Sequence, residues 1–460
     1  MILIPGGIMN QDRAALRLSL MGLAGASIEW YDFLLYGTAA ALVFPTLFFP
    51  ATMPPLVALI ASFSTFAVGF IARPFGGILF GHLGDRVGRK TTLAAALMLM
   101  GLATMLVGCL PSYRSAGVFA PLALVLLRLI QGLAVGGQWG GATLLATESA
   151  PRSRRGLYGG IAQAGVFIGV LLANIAVLAA SGLTTPQGFM TYGWRIPFLF
   201  SVILIGLALY VRLRVEETEA FRRLQQPGDS LPSPAPQQIS RPVLAALRAC
   251  PGRILLAAGV LLSLHAIFYV VVTYAIAYGT GASGLRLPRS TMLGGVLISQ
   301  FVAAPMSVVA GALSDRFGRR RVIMTGIALL GAWALVFFPL IDTRSFRWIT
   351  VALTVAACCN GLAYGPLGTM FAELFDTQMR YSAMSLAYQL GAIVGGGFVP
   401  ILATALYARY HTNTWTALYI SFASVVSLVC LSRLQETAGA ELSAPATPAQ
   451  SGGSRLSGSN

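Results

Sequence analysis

Between Leu18 and Arg433 the chain is a succession of apolar runs, each about 17–27 residues long, separated by short polar stretches. A helix needs about 20 such residues to cross the hydrocarbon core of a bilayer. Within lipid every backbone N–H and C=O must find its partner inside the chain, so these runs read as helices. Twelve can be drawn, at 18–44, 56–80, 91–110, 121–147, 157–180, 196–212, 254–279, 291–312, 322–341, 348–371, 382–407 and 414–433. The expected fold class is an all-α integral membrane protein with 12 transmembrane helices. Composition agrees: 10% of the residues are charged, against about 25% in a soluble domain. The net charge of +16 sits between the runs rather than in one basic surface. It implies a bilayer as partner, not nucleic acid.

The basic residues fall mostly at the N-terminus, in the even-numbered loops and in the tail. The positive-inside rule then places both termini and the central loop on the cytoplasmic side of an inner (plasma) membrane. The first run is too long for a cleavable signal and lacks a small-residue cleavage site, so it reads as a retained span. Between the sixth and seventh runs lies the polar segment 213–253. It opens as a surface helix around Glu216, Glu217 and Glu219 and continues as a Pro- and Ser-rich linker from Pro227 to Pro236. The segment 434–460, rich in Ala, Ser, Gly and Pro, is expected to be disordered. The cysteines show neither disulfide nor zinc spacing and read as small buried hydrophobes.

The two halves repeat. Gly81-His82-Leu83-Gly84-Asp85-Arg86-Val87-Gly88-Arg89-Lys90 follows the second run, and Gly311-Ala312-Leu313-Ser314-Asp315-Arg316-Phe317-Gly318-Arg319-Arg320 follows the eighth. Gly132 pairs with Gly361, Glu148 with Glu373 and Gly165 with Gly391, offset by about 225–230 positions. Two similar six-span halves joined by a flexible linker are the signature of a repeat-built transporter. The expected units are a first half at 1–212, a central loop at 213–253, a second half at 254–433 and a tail at 434–460.

The repeated loop resembles the signature loop of the major facilitator superfamily. A narrower resemblance, to its metabolite:H+ symporter branch, rests on several stretches. These are Glu29-Trp30-Tyr31-Asp32-Phe33, Gly69-Phe70-Ile71-Ala72-Arg73-Pro74-Phe75-Gly76-Gly77, the block from Arg128 through Gly141, Glu148-Ser149-Ala150-Pro151 and Gly193-Trp194-Arg195-Ile196-Pro197-Phe198. The resemblance implies two pseudo-symmetric halves and proton-coupled uptake of a small organic acid or zwitterion. Members of that branch take shikimate, 2-oxoglutarate, citrate, proline or betaine, and the first half is most similar to the shikimate-type members. Where the branch commonly carries an acid this chain has Gln138. Coupling here then rests on other groups or is altered.

The repeat sorts the candidate residues. Features of both halves serve what both share, so Asp85, Arg86, Arg89, Glu148, Asp315, Arg316, Arg319 and Glu373 read as a cytoplasmic gate. There an Asp can sit at a helix N-terminus and an Arg can pair with a Glu. Of the 15 acids only Glu29 and Asp32 lie well inside a run. They are three apart and share a helical face. A carboxylate at bilayer depth is costly and by default functional. At about 1.5 Å per residue, Asp32 and Arg128 reach the same depth. Two roles fit Glu29 and Asp32. One is a proton carrier, alternately exposed and paired; the other is a permanently ionised structural pair with Arg128. Arg73 reads as an interfacial anchor that snorkels. Tyr36, Gln131, Gln138, Gln163, His265, Tyr269 and Asn360 are buried polar groups that could bind a hydroxylated acid or tie helices together. His265 could in addition titrate near neutral pH.

A membrane enzyme would need a metal-ligand cluster or a nucleophile–base pair, and neither is present, so no catalytic residue, metal or cofactor is expected beyond the proton as coupling ion. A sensor would need a folded output domain, which the central loop and tail are too short and polar to supply. The expected partners are a small-molecule substrate and lipid, with a monomer sufficient for function. An exporter or an uncoupled facilitator on the same fold is the alternative. The fifth run lacks the Gly-Pro step of facilitator-type drug antiporters, which favours uptake.

Overall fold

Twelve long helical segments organise the computed structural model, which describes residues 6–87, 89–136, 144, 146–214, 242–376 and 379–440. Before the central segment come α1 (Gly6–Leu42), α2 (Pro55–Val87), α3 (Arg89–Cys109), α4 (Phe119–Val135), α5 (Arg155–Gly182) and α6 (Arg195–Arg214). After it come α7 (Pro251–Thr280), α8 (Arg289–Phe317), α9 (Arg319–Asp342), α10 (Phe346–Leu374), α11 (Arg380–Tyr410) and α12 (Thr414–Arg433). No strand occurs among the described residues.

Eight of these helices are long and apolar enough to cross a membrane: α2, α5 and α7 to α12. A ninth is counted if Pro186–Gly193 and Arg195–Gly206, bent by 47°, form one span. α3 from Ala94 onward and α4 are shorter apolar helices. The part of the fourth run at 137–143, the surface helix expected around 216–223 and the tail beyond 440 lie outside the described residues. Large apolar side chains point outward all round, for example Phe75, Ile203, Phe301 and Phe422. Such a surface would aggregate in water and is at home in lipid.

Glycines set how closely the helices cross. A Cβ added to Gly132 on α4 would run into the Gly69 carbonyl and the Ala72 methyl of α2, and one added to Gly76 on α2 would hit the Leu133 backbone. Between the halves, Gly156 on α5 and Gly311 on α8 meet backbone to backbone in the same way. These contacts are the small-residue packing that membrane helices rely on where lipid gives no hydrophobic drive. α7 and α11 each contain a wide π turn, Val270–Tyr274 and Ile393–Gly397. Such turns are rare and recur at functional sites. The turn in α11 holds Gly395, Gly396 and Gly397, which lie against His265 and Tyr269 of α7 and Phe70 of α2.

The crossing predicts that Gly132→Leu lowers stability by about 1–3 kcal/mol through overpacking. Gly206→Ala, where nothing lies within 4 Å of the added carbon, should stay within about 0.5 kcal/mol of the parent. Thermal unfolding in detergent checks both; equal stability of the two variants would contradict the close crossing.

Candidate substrate and proton site

The face of α1 carrying Glu29, Phe33 and Tyr36 repeats every three to four residues and looks into the bundle. On α2, Phe66, Phe70 and Arg73 form a matching stripe. Arg128 of α4 is completely buried. Its guanidinium carbon lies 3.9 Å from the centre of the Phe33 ring, 4.2 Å from Tyr36 and 4.6 Å from Phe66. Nη1 donates to Gln131 Oε1 at 3.1 Å, while Nε and Nη2 find no partner among the described residues. Gln131 in turn donates to Thr104 at 2.8 Å, and the Tyr36 hydroxyl donates to Thr65 at 2.8 Å. Tyr36, Gln131 and Arg128, singled out from sequence as separate candidates, therefore form one group.

Arg73 is not a snorkelling anchor. It is 2% exposed and stacks 4.1 Å from Phe33 and 4.6 Å from Phe70. Its length would let it reach the interface, but the aromatic stripe one and two turns earlier on α2 draws it inward. Desolvated cation–π contacts of this kind are worth about 2 kcal/mol. Phe33 thus lies beneath two buried guanidiniums.

The second half closes over this group. The Tyr269 ring meets Phe66 at 5.7 Å and Phe70 at 5.1 Å, and its hydroxyl has no hydrogen-bond partner. His265 stacks on Tyr269 and meets Tyr388 edge-on at 5.0 Å, with both ring nitrogens unpartnered. Gln163 is buried on α5 with Nε2 unpartnered. Asn360 donates to the Leu264 carbonyl at 2.7 Å, which ties α10 to α7. Gln138 lies outside the described residues.

The expected Asp32–Arg128 pair is not formed. Asp32 is fully buried, neither carboxylate oxygen has a hydrogen bond, and its polar neighbour is Ser201 on α6. Tyr31 fixes that side of α1 by donating to the Pro197 carbonyl of α6 at 2.9 Å. Equal depth says nothing about direction around the axis. At about 100° per residue, Asp32 sits about 60° round from Glu29. That rotation is enough to turn it under α6. Glu29 instead lines a small cavity with Trp30, Phe33, Arg73, Val135, Tyr388 and Gln389.

Toward the ends of the helices the two sides differ. On the side away from the repeated loops a cavity of about 1060 Å³ opens between the halves, lined among others by Ala41, Leu59, Tyr274, Tyr278, Arg289 and Tyr407. Gly37, Phe66 and Thr273 pack together at its floor. On the loop side the halves are joined. Asp315 accepts hydrogen bonds from the Gly156 and Leu157 N–H groups at 2.8 and 2.9 Å, capping α5 of the other half. Arg319 donates to Asp315 at 2.6 Å and pairs with both oxygens of Glu373, at 3.2 and 3.3 Å. Glu148 accepts from Arg380 across the halves at 2.8 Å. Arg316 is exposed, and the side chains of Asp85, Arg86 and Arg89 lie outside the described residues.

Two participants on the loop side were missed from sequence. Arg380 follows Glu373 by seven residues, as Arg155 follows Glu148, so the repeat itself carried the signal. The other is Glu436. It accepts from the Arg319 and Arg320 N–H groups at 2.8 and 3.0 Å, at the start of α9. Thr437 bonds Glu373 at 2.9 Å, the Gly439 carbonyl takes a bond from Arg152, and the Ala440 carbonyl accepts from Arg155 at 2.8 Å. Residues 434–440 are thus ordered, contrary to expectation, because a carboxylate at a helix N-terminus holds them.

Arg319 is 1% exposed and Glu148 is 47% exposed. Arg319→Ala should therefore cost about 3–5 kcal/mol, as loss of one partner of a buried pair does. Glu148→Gln should cost at most about 1 kcal/mol. Thermal unfolding in detergent separates the two, and equal costs would refute this ranking.

Comparison with known proteins follows the same lines. The Major Facilitator Superfamily pattern matches residues 33–386 and, in an overlapping second match, 290–452. The chain is 41% identical over 425 residues to the shikimate transporter of Escherichia coli (strain K12), covering 92% of this chain and 94% of that one. It is 38% identical over 425 residues to the inner membrane metabolite transport protein YhjE of the same organism, with the same coverage. The proline/betaine transporter of that strain is 32% identical over 438 residues, covering 93% of this chain and 84% of that one. Among solved structures, the proton:xylose symporter XylE bound to 6-bromo-6-deoxy-D-glucose superposes with a TM-score of 0.70 at 19% identity, covering 94% of this chain and 98% of that one. That identity speaks for the fold alone. The chain belongs to the Major Facilitator Superfamily, as a multi-pass membrane transporter rather than an enzyme.

Proposed function

We propose that this transporter takes up a small organic acid of the shikimate type together with a proton, by alternating access of two six-helix halves. The observation that carries the reading is the pair of buried guanidiniums, Arg73 and Arg128, in an aromatic chamber. Neither makes an ion pair with a carboxylate among the described residues. A buried cation without a counter-charge is costly, and an anionic substrate would supply that charge. A quaternary ammonium would face two like charges. The aromatic walls suit a ring, and the unpartnered Tyr269 hydroxyl and His265 nitrogens suit its hydroxyl groups.

Twelve spans in halves at 1–212 and 254–433, with 213–253 and both termini on the cytoplasmic side of an inner membrane, fit the distribution of basic loops. In that orientation the loop-side network is a closed cytoplasmic gate. The cavity of about 1060 Å³ is then an outward vestibule, and Gly37, Phe66 and Thr273 separate it from the two arginines. The names of the relatives support a metabolite substrate, and shikimate among them matches the chamber best. The proton is carried by an acid of α1, and the unit that works is a single chain.

The test is uptake of labelled shikimate, 2-oxoglutarate and betaine into proteoliposomes, with and without an inwardly acid-driven gradient. Shikimate should accumulate only with the gradient, and betaine should not. Arg128→Gln should weaken shikimate binding at least about thirtyfold, the equivalent of the 2 kcal/mol or more lost with a buried charged partner. Accumulation of betaine in place of the acids, or uptake indifferent to the gradient, would overturn the substrate and the coupling claims respectively.

A further inference from the structure

Glu29 and Asp32 have different surroundings, and the difference assigns them different work. Asp32 is sealed under α6 and is absent from the cavity that holds Glu29. Glu29 is partly exposed and shares its cavity with Arg73, on the loop side of the Phe33 ring on which both arginines stack. Along α2 the order Phe66, Phe70, Arg73 leads away from the vestibule. An anion entering from the vestibule therefore meets Arg128, beside Phe66, before Arg73, beside Phe70.

Resting on the organic-acid reading above, we infer that Glu29 is the proton-linked group and that it is coupled to the substrate through Arg73. The cavity brings one carboxylate and one guanidinium together between aromatic walls. A substrate carboxylate arriving at Arg73 places a second negative charge beside Glu29. Two carboxylates in one dry site cannot both stay ionised cheaply. One proton from solvent therefore forms an O–H bond on a Glu29 carboxylate oxygen as the anion binds. The two arrivals cancel in charge, so the occupied chamber carries the same net charge as before. On the opposite side the substrate leaves Arg73, Glu29 loses its proton to solvent, and the carboxylate again faces the guanidinium. Linkage makes the effect mutual: the proton favours the anion as the anion favours the proton.

The other ionisable groups around Glu29 do not offer this exchange. α2 contributes Arg73, and α4 contributes Arg128 on the far side of the Phe33 ring. α11 contributes Tyr388, behind which stand His265 and Tyr269 of α7. α5 has no ionisable side chain at 159–182, and α6 has none at 196–209. On α1 itself the remaining acid is Asp32. Of these, Glu29 alone is a carboxylate within the cavity that holds Arg73.

The experiment measures proton uptake by purified protein in weakly buffered detergent when shikimate is added, together with the shikimate Kd across pH. The intact protein should take up one proton per shikimate bound, and affinity should fall roughly tenfold per pH unit where Glu29 is ionised in the free protein. Glu29→Gln, whose amide mimics the protonated acid, should bind shikimate with no proton uptake and with a Kd independent of pH. Asp32→Asn should keep the uptake. In the unsubstituted protein an infrared band of a protonated carboxyl should appear on adding shikimate, which tests the step without any variant. A band or an uptake that survives in Glu29→Gln, or that vanishes in Asp32→Asn, would overturn the assignment while leaving the organic-acid reading intact. Absence of shikimate binding by the unsubstituted protein would instead overturn that reading, and this inference with it.

Discussion

Two guanidinium groups held away from water are the constraint around which the interior is arranged. A bare charge in an apolar medium is prohibitively expensive, yet Arg73 and Arg128 are 2% and 0% exposed. The chain meets this with the negative faces of Phe33, Tyr36, Phe66 and Phe70, and with one hydrogen bond to Gln131. The rings must be close on both sides, which requires α2 and α4 to cross without side chains between them. Gly69, Gly76 and Gly132 supply that. Arg over Lys follows from the same need, because a planar, weakly hydrated guanidinium stacks on a ring where an ammonium does not.

Much of this was readable from the residues. The apolar runs gave the class, and the repeated loop pointed to Asp315, Arg319 and Glu373, which do form one network. Tyr36, Gln131 and Arg128 were each recognisable as buried polar groups, and they meet. The failures share one cause. Rise per residue fixes depth, so Asp32 and Arg128 were matched correctly in height. Direction around the helix axis is set by neighbours far along the chain, here Pro197 and Ser201 on α6. Arg73 was misplaced for a related reason. Its side chain is long enough for either environment, and the decision lies with Phe33 and Phe70, of which the first is on another helix.

The repeat also promised more symmetry than the molecule has. Glu373 is spent within its own half on Arg319, whereas Glu148 reaches across to Arg380. The Asp315 carboxylate caps a helix of the opposite half. Related sequences at related positions thus do different jobs because the halves face each other and not the same partner. Glu436 has no role that internal similarity could reveal: it belongs to the end of the chain, which has a single copy.

One timing follows from the cap on α5. Gly156 and the Asp315 that holds its N–H are 159 residues apart. At a synthesis rate of about 5–20 residues per second, the start of α5 leaves the ribosome roughly 8–30 seconds before its cap exists. The Arg155 partner at Ala440 comes later still, near the end of translation. The first half must therefore enter the bilayer with those N–H groups satisfied by water at the membrane surface. Its seal against the second half is among the last things made.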